Sequence, residues 1–417
     1  MLYERWRHIC REFDRQIALR EVATGQSWSF GQLDAAASAL SHQNGPVAFP
    51  TGLAAEFILQ TIAAWRRNAV LCPVESGAAP PSVGSLPADL VHLKQTSATT
   101  GRPRLVGFTA SQLAADAANI VSTMGLRPDW PNIAVISMAH SYGFSNLVLP
   151  LLLHGIPLIL LDSTLPESLR RVVVSGDVTL PAVPALWRAW QEAGVLSAQI
   201  RLAISAGASL PLGLEQDVFV KTGLKIHNFY GATECGGIAY DRGPHPRADE
   251  ACIGAPMDNV VLSTANTGCL EVRGAAVGAT YWPEPGDELG DGCFRTSDLA
   301  ELSAGLVFLR GRAGEQINVA GRKVSPETIE RELKAHQEVR DCLVFGVPGA
   351  DTGRGDLIVA CVVSSGGRDA GVLKQFLLSR LPAWQVPKEW QFVESLEPNE
   401  RGKLSRAQWR ARLGYCP

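Results

Sequence analysis

The chain has 417 residues, 46% of them apolar, with a formal net charge of -3 at pH 7. That length supports two or three domains with a sizeable core, and the small charge excludes broad attraction to nucleic acid or anionic membrane. The nine cysteines are scattered, odd in number and never spaced C-x-x-C, which argues against a disulfide framework or zinc site and for a reducing, cytoplasmic setting.

The N-terminal MLYERWRHICREFDR is charged and lacks the apolar core of a signal peptide. From there, helical and strand-like runs alternate: ASQLAADAANIVSTM has helical spacing, and NIAVISM is β-rich. The apolar run NLVLPLLLHGIPLILL is broken by two prolines, a glycine and a histidine, so it reads as a buried helix and strand, with no membrane span. DVTLPAV, the helical PALWRAWQEAG, IRLAISA and LKIHNFY continue the alternation, which predicts layered α/β architecture. Around residues 251–310 short strands separated by glycine turns (GCLEVRGAAV, GCFRTSDLAEL, GLVFLRGR) predict a small β subdomain. The last hundred residues read as a separate α+β domain: PETIERELKAH, DCLVFGVP, DLIVACVVS, AGVLKQFLLSRL and a basic tail, PNERGKLSRAQWRARLG. The expected fold is therefore α/β, a large domain over 1–312 and a small one over 313–417, hinged near Arg312–Glu315. No internal repeat or low-complexity segment interrupts it.

One short turn, TSATTGRPR at 96–104, concentrates hydroxyls, a glycine and two arginines, chemistry suited to gripping phosphate oxygens. It lacks the G-K-[ST] ending of a Walker A loop, and alone it also suits an ordinary polar turn. Four further stretches follow it in order: NFYGATE (228–234), FRTSDL (294–299), GRAGEQINVAGRKVSPETIE (311–330) and NERGKLSR (399–406). In order and spacing the set resembles the adenylate-forming superfamily of acyl-CoA synthetases, aryl-acid ligases and peptide-synthetase adenylation domains. The similarity runs from about Ala18 to the C-terminal tail.

The resemblance implies an ATP- and magnesium-dependent enzyme that joins a carboxylic acid to AMP, expels pyrophosphate and passes the acyl group to a thiol, CoA or the phosphopantetheine of a carrier protein. It implies that Thr96, Ser97, Thr99, Thr100, Gly101 and Arg104 wrap the β- and γ-phosphates; Ala98 stands where the family has glycine, and Arg104 where it usually has lysine. In the segment Asn228, Phe229, Tyr230, Gly231, Ala232, Thr233 and Glu234, it assigns Tyr230 to adenine, Thr233 to phosphate and Glu234 to magnesium. The turn Gly207, Ala208, Ser209 would line the nucleotide and acyl pockets, Asp298 would accept the ribose hydroxyls, and Arg312 would support the ribose.

Lys403 resembles the family's mobile catalytic lysine, bridging carboxylate and α-phosphate, and Gly321 would approach the pantetheine arm after the small domain rotates. Gly314 replaces the usual hinge acid. His140 would sit near the carboxylate or the pantetheine route, though a backbone-bonded core histidine suits it nearly as well. Tyr142, Gly143, Phe144 and Ile238 would wall the acyl pocket, with Gly236 and Gly237 leaving room. MAHSYGF is similar to the A-H-N-Y of hydroxybenzoate-activating relatives, with Ser141 in place of asparagine, and an amino-acid substrate is disfavoured because no aspartate stands ready for its ammonium group. The segment before the phosphate loop is shorter than usual in the family, which suggests a homodimer or a carrier-protein contact there. A non-catalytic nucleotide-binding relative is the competing reading.

Overall fold

The computed structural model describes residues 1–40, 45–96, 104–174, 176–349, 355–397 and 404–415. It forms two compact units: Met1–Ser263 with Glu271–Arg295 and Ser303–Val307, and Thr264–Leu270 with Thr296–Leu302 and Phe308–Pro417. The second unit thus takes in part of the strand Cys293–Ser303, including Asp298, besides the C-terminal hundred residues.

In the first unit, helix ends follow local chemistry. Ser29 opens the Phe30–Ala39 helix and Thr109 the Ala110–Met124 helix, each through a reciprocal capping box with a glutamine three residues on. The apolar run 146–161 divides into a π-helical turn (Phe144–Val148 with its upstream end), the helix Leu149–His154 and the strand Leu158–Leu160. Among the described residues no helix is long and apolar enough to cross a membrane.

Six strands run parallel in the order Ile226–Ala232, Ile200–Ser205, Val178–Ala182, Asn132–Ala134, Leu158–Leu160 and Ile17–Glu21. Most of their residues are buried on both faces, which is why they read as near-continuous apolar runs. The first of them then reverses into the antiparallel strand Gly236–Tyr240. A second sheet places Leu105–Thr109 antiparallel to Leu90–Gln95 on one side and to Thr280–Trp282, from far along the chain, on the other.

Two buried charge networks brace this unit. Glu215, fully buried, pairs with Lys225 and with Arg247 at 2.9 Å, and Lys225 also reaches Asp241 at 2.5 Å. Arg247 further donates to the carbonyls of Leu210 and Cys252, both at 2.7 Å. The second network is Lys94, Asp116 and Ser145, described with the site below.

His92 is buried between Phe144, whose ring centre lies 4.3 Å away, and Phe108, with neither ring nitrogen hydrogen-bonded among the described residues. Burial, aided by nearby Lys94, holds its pKa well below the usual histidine value. The folded chain therefore keeps this ring neutral, while the unfolded chain protonates it below about pH 6.5. Its contribution is complete above that pH and is lost as the pH falls. In thermal melts between pH 7 and 5, His92→Phe is expected to flatten the loss of stability by one proton's share; an unchanged slope would contradict this.

In the second unit the strands Val339–Pro348 and Asp356–Ser364 pair antiparallel, and Glu389–Phe392 joins the latter in parallel. Alternate residues serve opposite faces. Cys342, Val344, Ile358, Ala360 and Val362 pack with Ile329 and Leu333 of the helix Pro326–Lys334 and with Leu373 and Leu377 of Ala370–Leu378. Leu343, Phe345, Val347, Val359 and Cys361 pack with Trp409. The basic tail is thus partly structural: Arg406–Arg412 is a helix that buries Trp409.

Candidate functional site

The antiparallel strands Leu90–Gln95 and Leu105–Thr109 flank the segment 96–104, which the resemblance assigns to phosphate. Its base is closed twice: Thr96 N–H donates to the Arg104 carbonyl at 2.9 Å, and Arg104 N–H donates to Thr96 Oγ1 at 3.0 Å. Ser97, Ala98, Thr99, Thr100 and Gly101, like Lys403, lie outside the described residues. The Arg104 guanidinium is centred 3.6 Å over the Tyr281 ring and its Nη2 lies 3.1 Å from Glu288 Oε1.

Glu234 sits in the turn between Ile226–Ala232 and Gly236–Tyr240, so Thr233 and Glu234 cap no helix; they occupy a β-hairpin turn. Asn228 and Phe229 are buried, Tyr230 and Ala232 half-buried, and Gly231 exposed. The Tyr281 hydroxyl donates to Glu234 Oε1 at 3.0 Å, while Gly278 N–H donates to the Glu234 carbonyl at 2.8 Å. Burial, and then the Glu234 charge, pushes the Tyr281 phenol well up, so it remains a donor. One strand, Thr280–Trp282, therefore ties Arg104 to the carboxylate assigned to metal. The motifs did not reveal Tyr281; its only mark in the sequence is an aromatic pair before proline, in TYWPEP.

On the acyl side, His140 accepts from Tyr142 N–H at 3.3 Å through Nδ1, capping the short helix Ser141–Gly143. The Tyr142 hydroxyl lies 3.4 Å from the carbonyls of Ala182 and Ile204, and its ring centre 5.9 Å from that of Phe229. Phe144 and Ile238 are core residues, 1% and 0% exposed. Gly143 closely approaches the Ser137 carbonyl. The open space expected beside Gly236 and Gly237 is already filled: a Cβ on the first would strike Asp116, and on the second the Met257 sulfur. These glycines permit close approach instead, and Gly236 also adopts φ 69°. The Gly207, Ala208, Ser209 turn is exposed and joins the strand Ile200–Ser205 to the helix Leu212–Thr222.

Behind this wall, Lys94 donates to Ser145 at 3.0 Å and pairs with Asp116 at 3.5 Å; Ser145 donates to Asp116 at 2.6 Å, and Gly237 N–H donates to the other Asp116 oxygen at 3.3 Å. A single buried pair thus joins the strand Leu90–Gln95, the π-turn after His140 and the Glu234 hairpin. The sequence carried a signal for it: Asp116 interrupts the apolar helical stripe Leu113, Ala117, Ile120 and Met124.

In the second unit, Arg312 Nε donates to Asp298 Oδ1 at 2.9 Å, bringing together the two residues assigned to ribose. Arg312 also lies 3.9 Å from Glu315, which pairs with Arg406. Arg406 reaches Glu327 and Glu330 as well, each at 2.9 Å, and donates to the Val344 carbonyl. Burial opposes its charge, but Glu330, Glu327 and Glu315 outweigh it and raise its pKa. Gly321, exposed in the turn between Ile317–Val319 and Arg322–Val324, donates its N–H to Asn318 Oδ1 at 3.0 Å.

The Glu234 carboxylate suits a hard cation, and among the described residues no group of three or more His, Cys, Asp or Glu side chains forms a metal cage.

Residues 76–282 match the family model described as AMP-binding enzyme, and 328–403 match its C-terminal domain. A feruloyl-CoA synthase of Amycolatopsis is 28% identical over 78% of this chain and 70% of its own length. A probable 2-succinylbenzoate–CoA ligase of Mycobacterium tuberculosis is 28% identical over 76% of this chain and 83% of its own. Among solved structures, ATP-bound MatB from Rhodopseudomonas palustris superposes with a TM-score of 0.87 over 99% of each chain at 22% identity. The Bacillus subtilis o-succinylbenzoate CoA synthetase complexed with its acyl-adenylate gives 0.84 over 97% of each at 18% identity.

Proposed function

The chain belongs to the AMP-binding enzyme family, and from that premise we propose that it activates an aryl or aliphatic carboxylic acid as its acyl-adenylate and transfers the acyl group to CoA. The observation that carries the site assignment is Tyr281, which holds the Glu234 carboxylate through its hydroxyl and the Arg104 guanidinium on its ring. In this reading Tyr281 of the strand Thr280–Trp282 touches both the cation taken as a phosphate contact, Arg104, and the carboxylate taken as a metal ligand, Glu234.

Adenylation brings two anions together, so charge must be neutralised as pyrophosphate departs. In this reading Thr96, Ser97, Thr99, Thr100, Gly101 and Arg104 hold the β- and γ-phosphates. Glu234 holds magnesium, which supplies further neutralisation when bound. Tyr230 stacks on adenine, and Asp298, oriented by Arg312, accepts the ribose hydroxyls. Lys403 bridges the carboxylate and α-phosphate; Gly321 lies on the pantetheine route in the second half-reaction. A swivel between 1–312 and 313–417 belongs to the same proposal; the turn Ala313–Glu315 stands at that boundary, while the second compact unit also takes in Thr264–Leu270, Thr296–Leu302 and the residues from Phe308 on. In this reading the acyl pocket runs past His140, Tyr142 and Gly143. A reducing, cytoplasmic setting follows from the cysteine usage.

Acid-dependent exchange of labelled pyrophosphate into ATP is expected with an aryl or aliphatic acid and magnesium. Exchange with no acid from a panel of both classes would refute the enzymatic reading in favour of a nucleotide-binding protein. Mass spectrometry of products with CoA or a phosphopantetheinyl carrier protein identifies the acceptor; exclusive loading of the carrier would overturn the CoA assignment. Size-exclusion chromatography tests the homodimer.

A further inference from the structure

We propose that Arg104 is a two-position cation: stacked throughout on Tyr281, it exchanges Glu288 for nucleotide phosphate, while the Tyr281 hydroxyl couples it to the Glu234 carboxylate. The inference rests on the functional reading above and assigns Tyr281 and Glu288, which no motif singled out, as positioning residues.

The cluster lies wholly within the first unit. Tyr281 is 1% exposed and is pinned on both sides, its strand pairing with Leu105–Thr109 and its hydroxyl on Glu234. Arg104 and Glu288 are different: their side chains are 45% and 40% exposed. An ion pair so open to water is weak, so a multiply charged phosphate can displace the carboxylate at little cost. Glu288 remains an anion and therefore a true competitor, because its own backbone N–H and then Arg104 stabilise the charged form.

The choice of arginine matters. A flat guanidinium keeps its face on the ring while its edge donors turn from one anion to another; a lysine ammonium has no such face. The Glu288 loop is shaped for this contact, since a side chain at Gly286 would meet both the Glu288 carboxylate and the Tyr281 ring. With nucleotide present, Arg104 then neutralises phosphate on one side of Tyr281, and Glu234 stands on the other at the length of a phenol hydrogen bond.

Calorimetry of ATP binding to the full chain, without acid and with or without magnesium, tests the idea. Glu288→Gln is expected to tighten ATP binding about threefold, with and without magnesium, the scale of a half-exposed ion pair. Tyr281→Phe keeps the stack and loses the hydroxyl, so binding of ATP alone should stay within about twofold while the advantage given by magnesium falls about tenfold. Arg104→Lys should abolish the gain: the double variant with Glu288→Gln should bind like Arg104→Lys alone. Unchanged or weaker binding by Glu288→Gln overturns the exchange, and equal weakening of ATP with and without magnesium by Tyr281→Phe overturns the coupling. If Tyr281→Phe does not fold, the Glu288→Gln and Arg104→Lys cycle still decides the exchange. A wild-type chain that binds no ATP refutes the parent reading, whereas wild-type binding with indifferent variants refutes only this one.

Discussion

Lys403→Ala is expected to slow acid-dependent pyrophosphate exchange by about 10²- to 10³-fold, the usual loss when one preorganised charge is removed from a developing anion. Thiol transfer from a supplied acyl-adenylate should fall far less, because in the proposed reading the swivel has withdrawn the lysine by then and other groups meet the charge of the departing AMP. Single-turnover assays of each half-reaction measure the split. Equal loss in both would remove Lys403 from the role proposed for it. The stretch that follows this lysine in the sequence is well anchored: Arg406 is gripped by Glu315, Glu327 and Glu330, and Trp409 is buried in the sheet's second face.

The second large effect concerns stability. Glu215→Leu should destabilise the first unit by about 3–5 kcal/mol, because it strips the carboxylate from two buried cations, Lys225 and Arg247. Lys225 keeps Asp241 and Arg247 keeps its carbonyl acceptors, so the loss should fall within that range instead of exceeding it. Denaturant unfolding followed by tryptophan fluorescence, with Trp187 and Trp190 buried in the same unit, provides the measurement. Adding Arg247→Met to Glu215→Leu should recover part of the loss, since removing both charges costs less than stranding one. A loss under about 1 kcal/mol, or strictly additive effects, would show that the network does not carry the stability assigned to it.

The helices and strands were readable because their causes are local. Capping boxes at Ser29 and Thr109 mark two helix starts, and the helical run ASQLAADAANIVSTM is the helix Ala110–Met124 to the residue. DCLVFGVP and DLIVACVVS read as continuous apolar strands because both faces of their sheet are covered. Beyond the NERGKLSR motif, the basic tail was legible only as charge; that Arg406 sits among three glutamates depends on the helix Pro326–Lys334 and the strand Val339–Pro348 meeting beside it.

For the site, the sequence alone determined which residue types recur in the phosphate, nucleotide and ribose motifs, since those chemistries demand hydroxyls, carboxylates and cations at short spacings along one chain. Only the tertiary structure decided which side chains meet within each unit. Tyr281 joins Arg104 to Glu234 because a strand from far along the chain pairs beside Leu105–Thr109, and Asp116 fills the space at Gly236 because a helix passes behind that hairpin. Strand pairing and helix packing connect residues without regard to sequence distance, so a local pattern could mark Asp116 as a break in an apolar stripe but could not announce the partner in either contact.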